Sequence, residues 1–180
     1  INHDGVINKY DIVYLGNTQP LVTGGGGVTV KYKQVTLSAF FHGRFGQSIV
    51  NMARMNNESM FGSNNQSKAV LRRWKNEGDN TDIPRALYNE GRNYLGSDRF
   101  VEKASFVRLK SMTLSYGFPR KICNRFNVNS LSVFVTGYNL FTWTNYTGQD
   151  PEVSVKDNLA IDTATTPVAK RFSFGLNMSF

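Results

Sequence analysis

The sequence predicts an all-β fold: an antiparallel transmembrane β-barrel, present here only as its last strands, about five, with long extracellular loops. Three observations carry that expectation. The 180 residues include 13 Phe, 8 Tyr and 2 Trp against only 19% charged residues, and aromatic side chains alternating with Ser, Thr and Asn favour strands. Several segments alternate apolar and polar positions strictly, giving one apolar and one polar face. The connections between them run short, long, short, long, as periplasmic turns and extracellular loops do in transmembrane barrels.

Composition also excludes classes. Cys123 is the single cysteine and has no partner within the chain, which removes a disulfide scaffold. No run approaches the ~18 apolar residues of a membrane-spanning helix. The net charge of +8 raises nucleic-acid binding, but the basic residues form no continuous stripe and no recognised nucleic-acid-binding pattern accompanies them. No nucleic-acid partner is expected. Residue 1 is Ile and no signal-like region follows, so the chain reads as one that does not start at a natural N-terminus.

In chain order, Gly24–Gly27 lacks the Lys-Ser/Thr of a phosphate loop and reads as a lead into the first strand, Gly27–Lys33. There Val28, Val30 and Tyr32 oppose Thr29, Lys31 and Lys33. Lys33-Gln34 makes a tight hairpin into Val35–His42, where Val35, Leu37, Ala39 and Phe41 oppose Thr36, Ser38, Phe40 and His42. A long polar stretch, Gly46–Lys103, follows. From Ala104 to Gly117 the phase slips: Val107 and Leu109 are odd, whereas Met112, Leu114 and Tyr116 are even. A β-bulge near Lys110-Ser111 explains the slip. Pro119–Phe126 suits a helical turn or two, with Cys123 packing inward. Ser130–Thr142 sets Leu131, Val133 and Val135 towards lipid and Ser132 and Thr136 towards the lumen. Trp143–Val168 is the second long stretch. Arg171–Phe180 closes the chain with Phe172, Phe174, Leu176, Met178 and Phe180 on one face. Because about eight strands are the usual minimum for closure, five make only part of a barrel.

Aromatics near the strand ends suit the two interface girdles of such a wall. Phe41, Phe45, Phe141, Trp143 and Tyr146 lie towards the long loops, and Tyr32, Tyr116, Phe118 and Phe180 towards the short turns. The competing reading is a soluble β-sandwich carbohydrate-binding module, whose apolar faces would pack on a second sheet. The opening segment resembles most of a calcium loop. With Gly5 at the turn, Asn2, Asp4, the Val6 carbonyl, Asn8 and Asp11 would offer alternating oxygen ligands to Ca2+, while a hydrogen-bonded Asx turn without metal accounts for the same residues. Catalysis is not expected. His3 and His42 are the only histidines, no nucleophile motif accompanies them, and Asp79, Asp82, Asp150 and Glu152 suit turns better than a glycosidase pair.

Eight short segments, in order and spacing, resemble SusC/RagA-type TonB-dependent outer-membrane transporters. They are Asp4–Asp11, Tyr14–Asn17 with Pro20 and Thr23–Gly25, Tyr32–Ser38, Asn80–Ala86, Ser105–Tyr116, Gly137–Thr144, Tyr146–Glu152 and Arg171–Phe180. The resemblance implies that residues 1–180 are the C-terminal part of the receptor barrel, with the plug and earlier strands absent. It further implies a bacterial outer-membrane location and, for the whole protein, a barrel of about 22 strands importing glycans or peptides. A SusD-like surface lipoprotein, the TonB complex acting through the missing N-terminal part, and outer-membrane lipid would be its partners. On the same ground, Phe180 is expected to mark the strand that seals the barrel.

Overall fold

A computed structural model of the chain describes residues 4–5, 8–91, 96–156 and 159–180. Its elements run β1 (Val22–Tyr32), β2 (Val35–Phe45), β3 (Ser48–Asn51), α1 (Met52–Asn57), β4 (Val101–Lys103), β5 (Phe106–Gly117), α2 (Arg120–Arg125), β6 (Ser130–Thr144), β7 (Val155–Lys156), β8 (Leu159–Asp162) and β9 (Arg171–Ser179). They divide into two units. A sheet unit holds Pro20–Gly46, Ala104–Asn145 and Thr166–Phe180; a loop unit holds Ile1–Gln19, Gln47–Lys103 and Tyr146–Thr165.

The sheet unit is a five-stranded sheet in the order β1-β2-β5-β6-β9, antiparallel at every junction. These are the five strands expected from alternation. The Lys33-Gln34 hairpin is present, with Tyr32 paired to Val35 and Lys33 in the left-handed region at φ 52°. The bulge is present too. On β5, Leu109 pairs with Phe41 and Ser111 with Phe40, so Lys110 is the extra residue. It returns Leu109 to the face carrying Met112 and Leu114, because an inserted residue resets the two-residue period of a strand. The turn after β5 forms α2, whose Cys123 is buried with its thiol 3.6 Å from the Phe118 carbonyl.

One expectation needs correction here. The glycine run lies inside β1, not ahead of it: Gly24–Gly27 are all paired with β2. Glycine is weak in strands, which hid this start from residue preferences. The ring of Phe40 lies across Gly25 and Gly27, where side chains would collide with it, and Gly175 sits under Phe134 in the same way. The long stretches carry structure of their own. Read from the sequence as long loops, they also build a four-stranded sheet, β4-β3-β8-β7, in which β3 and β8 pair in parallel through Val50 and Ile161. Ile49, Ile83, Phe100 and Ala160 form its buried core. Its strands span only two to four residues, too short for alternation to show.

Charge is divided as sharply as structure. All 13 acidic residues of the chain fall within the segments of the loop unit, and the sheet unit contains no Asp or Glu. Its cations are Lys31, Lys33, Arg44, Arg108, Lys110, Arg120, Lys121, Arg125, Lys170 and Arg171.

Candidate functional site

The register places apolar side chains in continuous rows across all five strands. One row is Val30, Leu37, Leu114, Val135 and Phe174; the next is Tyr32, Val35, Tyr116, Val133 and Leu176. This face is open: Phe174 is 79% exposed and Val30 56%. Within the sheet unit no second sheet covers it, so it lacks the partner that a β-sandwich requires. The opposite face carries the row Thr29, Ser38, Thr113, Thr136 and Ser173. Hydroxyls pair across strands there, Thr29 with Ser38 at 3.0 Å and Thr113 with Thr136 at 2.8 Å. Further along, Arg108 is buried and donates through Nε to Thr142 Oγ1 at 2.9 Å. Such a sheet suits a boundary between lipid and a wet lumen, where hydroxyls face water and hydrocarbon faces hydrocarbon.

Dimensions agree with that division. β1 and β2 each contain 11 residues, and ~9–11 residues of tilted strand cross a bilayer core. Both ends of the apolar face carry rings. Phe141 and Trp143 stack at 6.1 Å, with Phe41 6.4 Å from Trp143. At the short-turn end Tyr116 and Phe118 meet edge to face at 5.2 Å, beside exposed Tyr32 and Phe180. One expected girdle residue is misplaced: Tyr146 belongs to the loop unit, where it is buried and donates to Asp162 Oδ2 at 2.7 Å. Burial and that carboxylate push its phenol well above the usual tyrosine range. Among the described residues no helix is long and apolar enough to cross a membrane.

The loop unit is tied by ions rather than by a large core. Arg54 on α1 reaches Glu58 at 3.1 Å, its i+4 neighbour, and Glu102 at 3.2 Å. Arg99 holds the other oxygen of Glu58 at 3.4 Å and lies over the ring of Phe100 at 4.4 Å. Glu102 in turn accepts from the Thr147 backbone at 2.9 Å and from Asn51 at 3.2 Å. Burial pulls Arg54 down, but its bonds to Glu58 and Glu102 outweigh that and leave it raised. Burial lowers Arg99, with Glu58 opposing and Arg54 adding to the effect. Next to this network lies a cavity of about 580 Å³ lined by Asn51, Arg54, Glu58, Thr147, Gln149 and Asp162 among others. The Arg54–Glu58 spacing was visible as a helical i,i+4 pair. The convergence of Arg99, Glu102 and Thr147 on it was not, because only the fold brings them together.

Glu102 sets a pH dependence. Burial would raise its carboxyl, but hydrogen bonds from Thr147, Arg54 and Asn51 hold it below the usual carboxylate range. A carboxylate with a depressed folded-state pKa contributes stability fully above its unfolded value of ~4.3 and loses it as pH falls through the folded value. The loop unit should therefore weaken below about pH 4. Glu102→Gln should flatten that slope, measured as the urea midpoint of the full-length protein between neutral pH and pH 3. An unchanged slope contradicts the assignment.

The candidate metal residues are only partly within view. Asn2 and Val6 lie outside the described residues. Asp4 is exposed, Asn8 caps a 3-10 turn at Lys9–Asp11, and Asp11 is that turn's last residue. There Asn8 Oδ1 accepts from the Tyr10 backbone at 2.8 Å, and Asp11 Oδ2 accepts from the Asn8 backbone at 3.0 Å. The two carboxamide and carboxylate oxygens so engaged make a reciprocal cap of the kind the Asx-turn reading describes. Among the described residues no group of three or more His, Cys, Asp or Glu side chains is arranged to hold a metal ion. The loop carboxylates form turns. Asp79 accepts from the Lys75 and Asn76 backbones, each at 2.9 Å, which lowers its carboxyl. Asp150 accepts from the Glu152 backbone at 2.9 Å, and Asp82 faces Arg72 at 4.0 Å in solvent.

An open antiparallel sheet with a lipid-type face, a hydroxyl face and long excursions from one end defines a stretch of outer-membrane β-barrel wall. Comparison narrows the class. No protein-family model matches the chain. TonB-dependent receptor P3 of Formosa agariphila is 29% identical over 188 residues, covering 100% of this chain and 18% of the relative. TonB-dependent receptor P26 of the same organism is 30% identical over 186 residues, covering 99% of this chain and 19% of the relative. Solved structures of the RagAB peptide importer align with TM-scores of 0.74 in its open-open state and 0.78 in its closed-closed state. Their sequence identities are 26% and 27%, covering 91% of this chain and 17% and 18% of the solved chains. The chain thus spans about a fifth of the relatives that it matches. Along its length it is similar to part of the TonB-dependent receptors and to part of a RagA-type barrel, and its place is the outer membrane.

Proposed function

We propose that these 180 residues are the C-terminal part of the barrel of an outer-membrane nutrient importer energised by TonB, not an enzyme. The five strands form wall, and the loop unit forms the extracellular loops that help seat a SusD-like lipoprotein. The imported material is glycan or peptide; similarity to a peptide importer favours peptide. The observation that carries the reading is the division of the sheet into an uninterrupted apolar face and a hydroxyl face. The orientation follows from connectivity. Turns of two residues (Lys33-Gln34) and of the short α2 segment lie at one end, and the two long excursions leave from the other. Long loops of outer-membrane barrels face outward. The Asp4–Asp11 segment, with Asn2 and Val6, is retained as a proposed Ca2+ loop of this extracellular part.

The test uses cysteine substitutions in the full-length protein, since Cys123 is buried. A membrane-impermeant maleimide should label Leu71→Cys on intact cells, whereas Asn124→Cys should react only after the outer membrane is permeabilised. The reverse pattern inverts the orientation. Release of the protein from cells into buffer without detergent overturns the membrane assignment.

A further inference from the structure

We propose that the short-turn end of the sheet unit is a docking rim for the anionic headgroups of inner-leaflet phospholipid. The inference rests on the wall reading above, which places this end at the periplasmic interface. Four exposed cations, Lys33, Arg120, Lys121 and Arg125, crowd the two turns there. No acidic residue exists anywhere in the sheet unit to neutralise them. Charge of one sign in such excess is costly to gather and attracts an anion from outside.

The position of Lys33 selects lipid as that anion's source. Its Nζ lies over the ring of Tyr32 at 5.3 Å, and Tyr32 is in the apolar row with Val35, Tyr116, Val133 and Leu176. The ammonium therefore stands beside the lipid-facing surface, at the level where its aromatic belt ends, rather than over the lumen. α2 continues the pattern. It buries Cys123 and leaves Arg120, Lys121 and Arg125 exposed, followed by Phe126, which is 64% exposed. Cations next to exposed rings are the composition of a membrane interface, where rings sit at headgroup level and Lys or Arg reaches phosphate. An acidic protein would satisfy the charges but gives no reason for aromatic rings beside them on the apolar side.

The experiment uses the full-length protein in detergent micelles containing equal amounts of phosphatidylglycerol and phosphatidylethanolamine, with retained lipid counted by native mass spectrometry. Wild type should retain phosphatidylglycerol preferentially, and added salt should erode the preference because the attraction is screened. Replacing Lys33, Arg120, Lys121 and Arg125 together by Gln should reduce the preference by about tenfold or more, since each basic residue near an anionic surface contributes on the order of fivefold. Exchanging Lys for Arg and Arg for Lys at the same four positions should preserve it, as should Lys68→Gln with Lys75→Gln in the loop unit. Equal retention of both lipids by wild type, a preference unaffected by salt, or one unchanged in the Gln variant overturns the proposal. So does capture of an acidic periplasmic protein without any lipid preference. Should the Gln variant fail to assemble, the lipid preference and salt response of the wild type decide. Failure of the protein to fractionate with membranes is a different result, and overturns the wall reading itself.

Discussion

Glu58→Ala is expected to destabilise the loop unit by about 3–5 kcal/mol, the cost of breaking a buried ion pair by removing one partner. The Glu58 side chain is 6% exposed and bridges two guanidiniums, Arg54 at 3.1 Å and Arg99 at 3.4 Å. Without it the two cations face each other, and Arg99 already carries a buried Nε that has no hydrogen-bond partner. Arg54 also donates to the Arg99 carbonyl at 3.5 Å, which holds the like charges close. Hydrogen exchange of the full-length protein should show faster exchange in β3 and β4, the strands that flank this network. Unchanged protection there would count against the network as the tie. Asp82→Ala is the contrast: its pair with Arg72 is exposed at 4.0 Å, and such pairs contribute about 0–1 kcal/mol.

Val133→Arg in the full-length protein should reduce its level in the outer membrane more than Ser132→Arg does. Val133 lies in the apolar row between Tyr116 and Leu176, and Ser132 points to the other face, paired with Gly117 and Asn177. A charge on the lipid face costs ~2–4 kcal/mol at mid-bilayer and ~0–1 near the interfaces. Val133 shares its row with the girdle residues Tyr32 and Tyr116, so its cost lies towards the lower figure, while a wet lumen solvates the same guanidinium. The comparison holds strand, depth and introduced side chain nearly constant and changes the face. Equal membrane levels of the two variants would reverse the division of the sheet on which the proposed function stands.

The strands of the wall were legible because a half-exposed strand must repeat every two residues, and four of the five segments do so over seven or more residues. Even the slip between Leu109 and Met112 could be read as a bulge, since parity cannot change within a paired strand without an extra residue. The start of β1 was not legible. Gly24–Gly27 has no side chains to alternate, and its pairing to β2 is decided by backbone hydrogen bonds and by the Phe40 ring that covers it. Tyr146 shows the same limit from the other side. One residue beyond the sheet unit, an aromatic that looks like girdle is instead core, held by Asp162.

What the sequence determined by itself is the wall: two faces, tight turns at one end and aromatic ends, each a local consequence of a period of two and of turn chemistry. What only the tertiary structure decided is everything that depends on distant segments meeting. The parallel pairing of β3 with β8, and the ion network joining Arg54, Glu58, Arg99 and Glu102, link residues 40 or more positions apart except for the single helical pair. The charge division belongs here as well. Along the chain the basic residues look dispersed and the overall balance is merely +8. Once the fold sorts the segments into two units, every acid lies in one of them. Charge acts through space, so its pattern becomes readable only when the fold sets the distances.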